Sequence, residues 1–176
     1  MIPDNQPAAE APAIEHPMQT TRLTALTSAL LLAGALATGT ALADRLVGEF
    51  EPVLGADAAK VVAGLRDGST ITLPASAASG GTVSIDSPVG PMGDVNVERT
   101  LRTARGQLEG LGIQRPTAEQ LRAALVGGEI QTPAGQTVRL DGVLTLRSQN
   151  LGWGEIARRA GVSIDTLLKG DPLYGN

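Results

Sequence analysis

The chain has 176 residues, with 18 Asp and Glu against 14 Lys and Arg, a formal net charge of −4, one His and no Cys. That balance offers no electrostatic attraction for nucleic acid or anionic lipid, and the absence of Cys excludes disulfide staples and thiolate metal sites. Phe50, Trp153 and Tyr174 are the whole aromatic complement, so stacking platforms for sugars or bases are nearly absent.

Residues 1–17 are rich in Pro and Ala, carry Asp4, Glu10 and Glu15, and read as a disordered or non-native extension ahead of a start at Met18. Residues 18–43 read as a secretory signal peptide. Arg22 supplies a basic head, 29–37 supply an apolar stretch dense in Leu and Ala, and Ala41 and Ala43 place small side chains at −3 and −1 of a cut between Ala43 and Asp44. A membrane anchor wants about 20 strongly apolar residues. Here Thr24, Thr27, Ser28, Gly34, Thr38, Gly39 and Thr40 dilute the run, which favours a cleaved signal of the Sec type and a periplasmic or secreted product. Membrane contact is expected only through an uncleaved signal. Because His16 precedes the cut, the mature chain would hold neither His nor Cys. That removes the usual zinc ligands, the Ser-His and Cys-His nucleophile pairs and the neutral-pH proton shuttle together. With no Gly-x-Ser-x-Gly and no Ser-x-x-Lys motif either, the expectation is a non-enzyme that needs no metal and no cofactor.

Residues 44–176 suit one small α+β domain built from short helices, two small β-hairpins and a C-terminal helix-turn-helix-like unit. Residues 44–55 read as an extended or irregular lead-in. Residues 56–66 show helical spacing through Ala59, Val62 and Leu65 and stop at Asp67-Gly68. The alternation in 69–73 and 82–86 around a small-residue loop predicts two strands. After a loop rich in Pro and Gly, Val97, Leu101, Ala104, Leu108 and Leu111 define one face of an amphipathic helix, with Glu98 and Arg102 at i,i+4 on the charged side. Thr117 and Gln120 form a capping box, and that helix ends at Gly127-Gly128. Residues 129–132 and 136–140 around Pro133-Ala134-Gly135 predict a second hairpin. Residues 143–150 suit either a strand after an Asp141-Gly142 turn or a helix capped by Asp141; the cadence of the chain through Lys169 favours the helix.

From Val143 to Lys169 that cadence is of three helices, with Ile156, Ala157 and Ala160 facing inward, Gly161 at a turn, Ser163 as a cap and Leu167 packing back. The pattern resembles a helix-turn-helix. A DNA reader needs Arg, Lys, Asn or Gln on its recognition helix, whereas 163–169 hold one acid and one base, so a DNA-binding regulator is expected only if the chain is not exported. Ile156-Ala157, Gly161-Val162-Ser163 and Leu167 also resemble the helical part of a LysM peptidoglycan-binding module, although Ser148-Gln149-Asn150-Leu151-Gly152 stands where such modules carry Gly-Asp-Thr-Leu. Across 88–162, Gly90-Pro91-Met92-Gly93, Pro116-Thr117-Ala118-Glu119-Gln120-Leu121 and Gly152-Trp153-Gly154-Glu155-Ile156-Ala157 resemble a group of small exported proteobacterial proteins of uncharacterised function. That resemblance implies export and a shared fold and transfers no active site.

The candidate binding residues are Trp153, Arg158 and Arg159. Glycines on both sides would let the Trp153 indole approach a sugar or a partner closely, against the commoner role of packing a helix junction. Arg158-Arg159 could hold an acidic group, against the commoner role of a solvated surface. Asp94, Asn96 and Glu98 space three oxygen side chains as for calcium but lack the Gly and the distant bidentate Glu of a calcium loop. These residues together predict an envelope or extracellular interaction protein, with a protein or cell-envelope component as partner and nucleic acid disfavoured. A divergent LysM-like module is the alternative.

Overall fold

A computed structural model describes residues 33–168, with side chains from Ala41 onward, and the described elements belong to one unit running from Gly34. The extension 1–17 and residues 18–32 of the expected signal peptide lie outside the described residues, as does any strand after Lys169.

The first helix, α1 (Ala33–Leu54), runs without interruption through Ala43 and Asp44 and replaces the irregular lead-in expected for 44–55. Leu46, Phe50 and Leu54 stand one turn apart on one face, and Leu46 and Phe50 are fully buried. Pro52 obscures this pattern in the sequence; it cannot donate the bond that a residue there would give to Gly48, and the helix ends two residues later at Leu54. A 3₁₀ turn at Gly55–Asp57 leads into α2 (Ala58–Asp67). That helix stops at Gly68, whose φ of 67° lets Gly68 and Ser69 both donate to the Gly64 carbonyl.

β1 (Ile71–Pro74) and β2 (Thr82–Ile85) pair antiparallel with Ile71 opposite Ile85, and β3 (Gly128–Gln131) and β4 (Thr137–Leu140) pair with Gly128 opposite Leu140. Both expected hairpins are present, as two separate two-stranded sheets. Between them lie α3 (Asp94–Gly110) and α4 (Ala118–Val126), and beyond them α5 (Val143–Ser148), α6 (Trp153–Ala160) and α7 (Ile164–Leu168). The fold is α+β, and residues 143–148 are helical.

The helix α3 is the hub, packing against α2, α4, α5, α6 and α7. Its Val97, Leu101, Ala104 and Leu108 join Leu65, Leu125, Leu144 and Ile156 in one core. Its charged face is not simply solvated. Arg102 bridges Glu98 at 2.6 Å and Glu49 of α1 at 2.8 Å, and Arg45 reaches Glu98 at 2.7 Å. Glu98 is buried, so these guanidinium partners are what allow its charge into the interior. Arg105 lies 5.7 Å from the Phe50 ring centroid and closes the same seam.

The capping box at α4 forms as expected, with the Gln120 N–H donating to Thr117 Oγ1 and the Thr117 N–H donating to Gln120 Oε1. Its neighbour Glu119 does something the sequence does not advertise. The carboxylate accepts from the Ser76 N–H at 3.0 Å and from Ser76 Oγ at 3.1 Å, tying the β1–β2 loop to the start of α4. Hydrogen bonds from Thr117, from its own backbone N–H and from Ser76 lower its pKa from 4.5 to about 2. A carboxyl depressed on folding stabilises the fold above its unfolded pKa and loses that contribution as pH falls through the folded value. The Tm difference between the wild type and Glu119→Gln is therefore expected to be largest near neutral pH and to close as pH falls from 4.5 towards about 2. A gap independent of pH would mean that Glu119 does not hold the loop through its charge.

Candidate functional site

The C-terminal unit is assembled by turn chemistry. The helix α6 ends at Gly161, where a φ of 68° lets the Gly161 N–H reach the Arg158 carbonyl and the Val162 N–H reach that of Ala157. Ser163 Oγ accepts from the Asp165 N–H at 3.2 Å at the start of α7. Ile156, Ala157, Ala160 and Leu167 are buried, and Gly106 of α3 leaves the space that Val162 fills. Two helices thus cross α3 closely, and the inward set read from the sequence is the set that packs.

Trp153 is half-buried against the core, with the Arg147 guanidinium 4.9 Å from its ring centroid. Arg147 also donates to the Leu151 carbonyl at 2.6 Å. One face of the indole is therefore covered, and Trp153 joins α5 to α6 at this corner. Arg158 and Arg159 both turn back on Glu155 within their own helix, Arg158 through Nε and Nη2 at 2.9 and 2.6 Å and Arg159 through Nε at 3.1 Å. Hydrogen bonds from Arg158, then from Arg159, lower the Glu155 pKa from 4.5 to about 2, and Glu155 in turn raises that of Arg158. The two arginines do not act as a pair. Arg158 points to solvent, while Arg159 lines a cleft.

That cleft, of about 420 Å³, lies between the α4–β3 junction, the end of β4, and helices α5 and α6. Its charged and polar walls are Arg139, Asp141, Thr145, Gln149 and Arg159. Arg139, Asp141 and Gln149 are exposed and hold no side-chain hydrogen bond or ion pair among the described residues. Glu129 faces Arg139 across the ladder without pairing to it. Thr145 Oγ1 donates to the Val126 carbonyl at 2.9 Å and fixes α5 to the α4–β3 junction. The floor is a crossing of two backbones at Gly127 and Gly142, so close that a Cβ on Gly142 would stand 2.2 Å from the Gly127 nitrogen.

Sequence reasoning found Arg159 and missed the rest of this cleft. Arg139 and Asp141 carry a weak signal, since positions i and i+2 of an extended segment share a face. Thr145 and Gln149 carry none. Asp94 and Glu98, of the calcium pattern, are engaged by Arg66 at 2.8 Å and by Arg45 and Arg102. Among the described residues no group of three or more His, Cys, Asp or Glu converges to hold a metal ion, and no helix is long and apolar enough to cross a membrane.

No protein-family model, no curated protein and no solved structure matches the chain.

Proposed function

We propose that this is an exported, non-enzymatic interaction protein of the envelope or extracellular space, and that the cleft between β4, α5 and α6 is its ligand-facing surface. The export half is carried by the sequence pattern of Arg22, the apolar stretch 29–37 and the small residues Ala41 and Ala43. A chain beginning at Asp44 keeps the buried Leu46 and Phe50 and the Arg45–Glu98 ion pair of the described residues. The cleft is favoured as the working surface because it is concave, sits on a rigid floor and gathers charged groups that the fold leaves without partners.

Neither alternative draws the same support. A peptidoglycan-binding role for Trp153 wants an open indole face, and Arg147 covers one. A recognition helix wants bases, and α7 exposes Ile164, Asp165 and Thr166. The test is intact mass and compartment of the protein from its own host. A species starting at Asp44 in periplasm or medium is expected, and a full-length cytoplasmic species would overturn the export reading.

A further inference from the structure

We propose that the cleft takes a small zwitterion, a ligand carrying one carboxylate and one ammonium group, as in a free amino acid or a short peptide with both ends unblocked. The inference deepens the reading of this surface as the ligand site, but it does not depend on where the protein resides.

The charges of the cleft define the ligand. Arg139 comes from β4 and Arg159 from α6, so two guanidiniums from different elements border one cavity. Arg159 uses Nε for Glu155, which leaves its two terminal nitrogens for a second partner, and Arg139 has its whole fork available. A carboxylate is the group such planar forks hold best through paired N–H donors. Asp141 then decides between anions. A phosphate or a dicarboxylate would bring further negative charge against the Asp141 carboxylate in the same cleft, whereas an ammonium group beside the ligand's carboxylate would satisfy it. Gln149 can donate to or accept from either end.

Size and lining point the same way. A volume of about 420 Å³ suits a ligand of amino acid to dipeptide size better than a folded partner. The walls are mostly polar, unlike a pocket for an apolar drug-sized molecule, and only Val126, Leu140 and Leu146 offer apolar surface, so a large hydrophobic side chain is not favoured. The floor is preorganised, since the Gly127–Gly142 crossing and the Thr145 bond to Val126 hold the three segments together without a ligand. The charges are solvent-exposed and therefore screened, so the affinity belongs on the order of 0.1–1 mM at low salt and falls as salt is added.

The experiment is a titration of the full chain, followed by NMR amide shifts and calorimetry at low ionic strength. The probes are alanine, alanyl-alanine, N-acetyl-alanyl-alanine and alanyl-alanine amide. Saturable shifts confined to residues of the α4–β3 junction, the end of β4, α5 and the Arg159 end of α6 are expected with alanine, with alanyl-alanine or with both. Which of the two binds more tightly identifies the free amino acid or the peptide as the better ligand. For the dipeptide, blocking either end should weaken binding about tenfold or more. For whichever probe binds, Arg139→Gln should do the same. Asp141→Asn should weaken binding of the unblocked ligand and leave the N-acetylated dipeptide unaffected. Thermal unfolding of each variant checks that the fold is intact, and none of these exposed residues is needed for the core. The proposal is overturned by the absence of saturable shifts at about 10 mM ligand. It is equally overturned if blocked and unblocked dipeptides bind alike, or if the folded Arg139→Gln protein binds like the wild type. Correct binding by a protein found in the cytoplasm would sink the export reading alone.

Discussion

Replacing Gly142 by Ala is expected to destabilise the fold by more than about 4 kcal/mol and to leave little cooperative unfolding transition. Gly142 has φ 80° and ψ 121°, a conformation that side chains rarely adopt, and it is buried. An added Cβ would stand 2.2 Å from the Gly127 nitrogen and 2.3 Å from the Val126 carbonyl carbon. Both are backbone atoms, so no flexible side chain can move aside. Gly127 is itself held at φ 94° with the Asp141 carbonyl oxygen 3.0 Å from its own ideal Cβ position, which leaves the crossing no room on either side. Relief would require separating α4 from α5, and with them Leu125 and Leu144, both fully buried. The control is Gly154→Ala, in the first turn of α6 with open space around it; there Ala is the better helix former and the change should be neutral or slightly stabilising. Denaturant unfolding followed by circular dichroism measures both. A Gly142→Ala protein within about 1 kcal/mol of the wild type would mean that the crossing is not as close as described.

A chain starting at Asp44 is expected to unfold at nearly the Tm of the full chain, whereas a chain starting at Glu51 should fail to fold. The difference lies in two fully buried side chains and one charge network. Phe50 alone is expected to cost about 3–5 kcal/mol on replacement by Ala, and Leu46 about 2–5. Starting at Glu51 also removes Arg45 and Glu49, two of the groups that surround Glu98 and Arg102. Domains of this size are stable by about 5–15 kcal/mol, so the loss of both side chains together with the ion pairs is comparable to the whole stability of the fold. Full cooperativity in the shorter chain would place the domain boundary after Phe50, within α1. Unfolding of the chain starting at Asp44 would instead show that residues before the expected cut are part of the domain, which would weigh against cleavage there.

How much was legible without the fold depends on the range over which each signal acts. Periodicity marked α3 because Val97, Leu101, Ala104 and Leu108 repeat within one helix, and hairpin β3–β4 was marked by Pro133-Ala134-Gly135 between two short runs. The capping box needs only Thr117 and Gln120. The same local logic failed at α1, where Pro52 and the charged Asp44, Arg45, Glu49 and Glu51 hid a buried Leu46–Phe50 face. Two of those charges, Arg45 and Glu49, meet partners on α3 more than 50 residues away. Arg158-Arg159 was recognised as a candidate, but a basic pair on one helix does not reveal that Glu155 engages both or that only Arg159 turns toward a cleft.

By itself the sequence determined the fold class, both hairpins, the six described helices beyond α1, the glycine stops of α2, α4 and α6, and the inward face of α6, since each rests on neighbours within a few residues. Only the tertiary structure decided that α1 is helical through Asp44 and carries core and ion pairs at Arg45, Leu46, Glu49 and Phe50, and that Arg139, Asp141, Gln149 and Arg159 share one cleft. The physical reason is the crossing at Gly127 and Gly142: two backbones can touch there only because neither residue has a side chain, and that contact brings together segments whose order along the chain says nothing of their closeness.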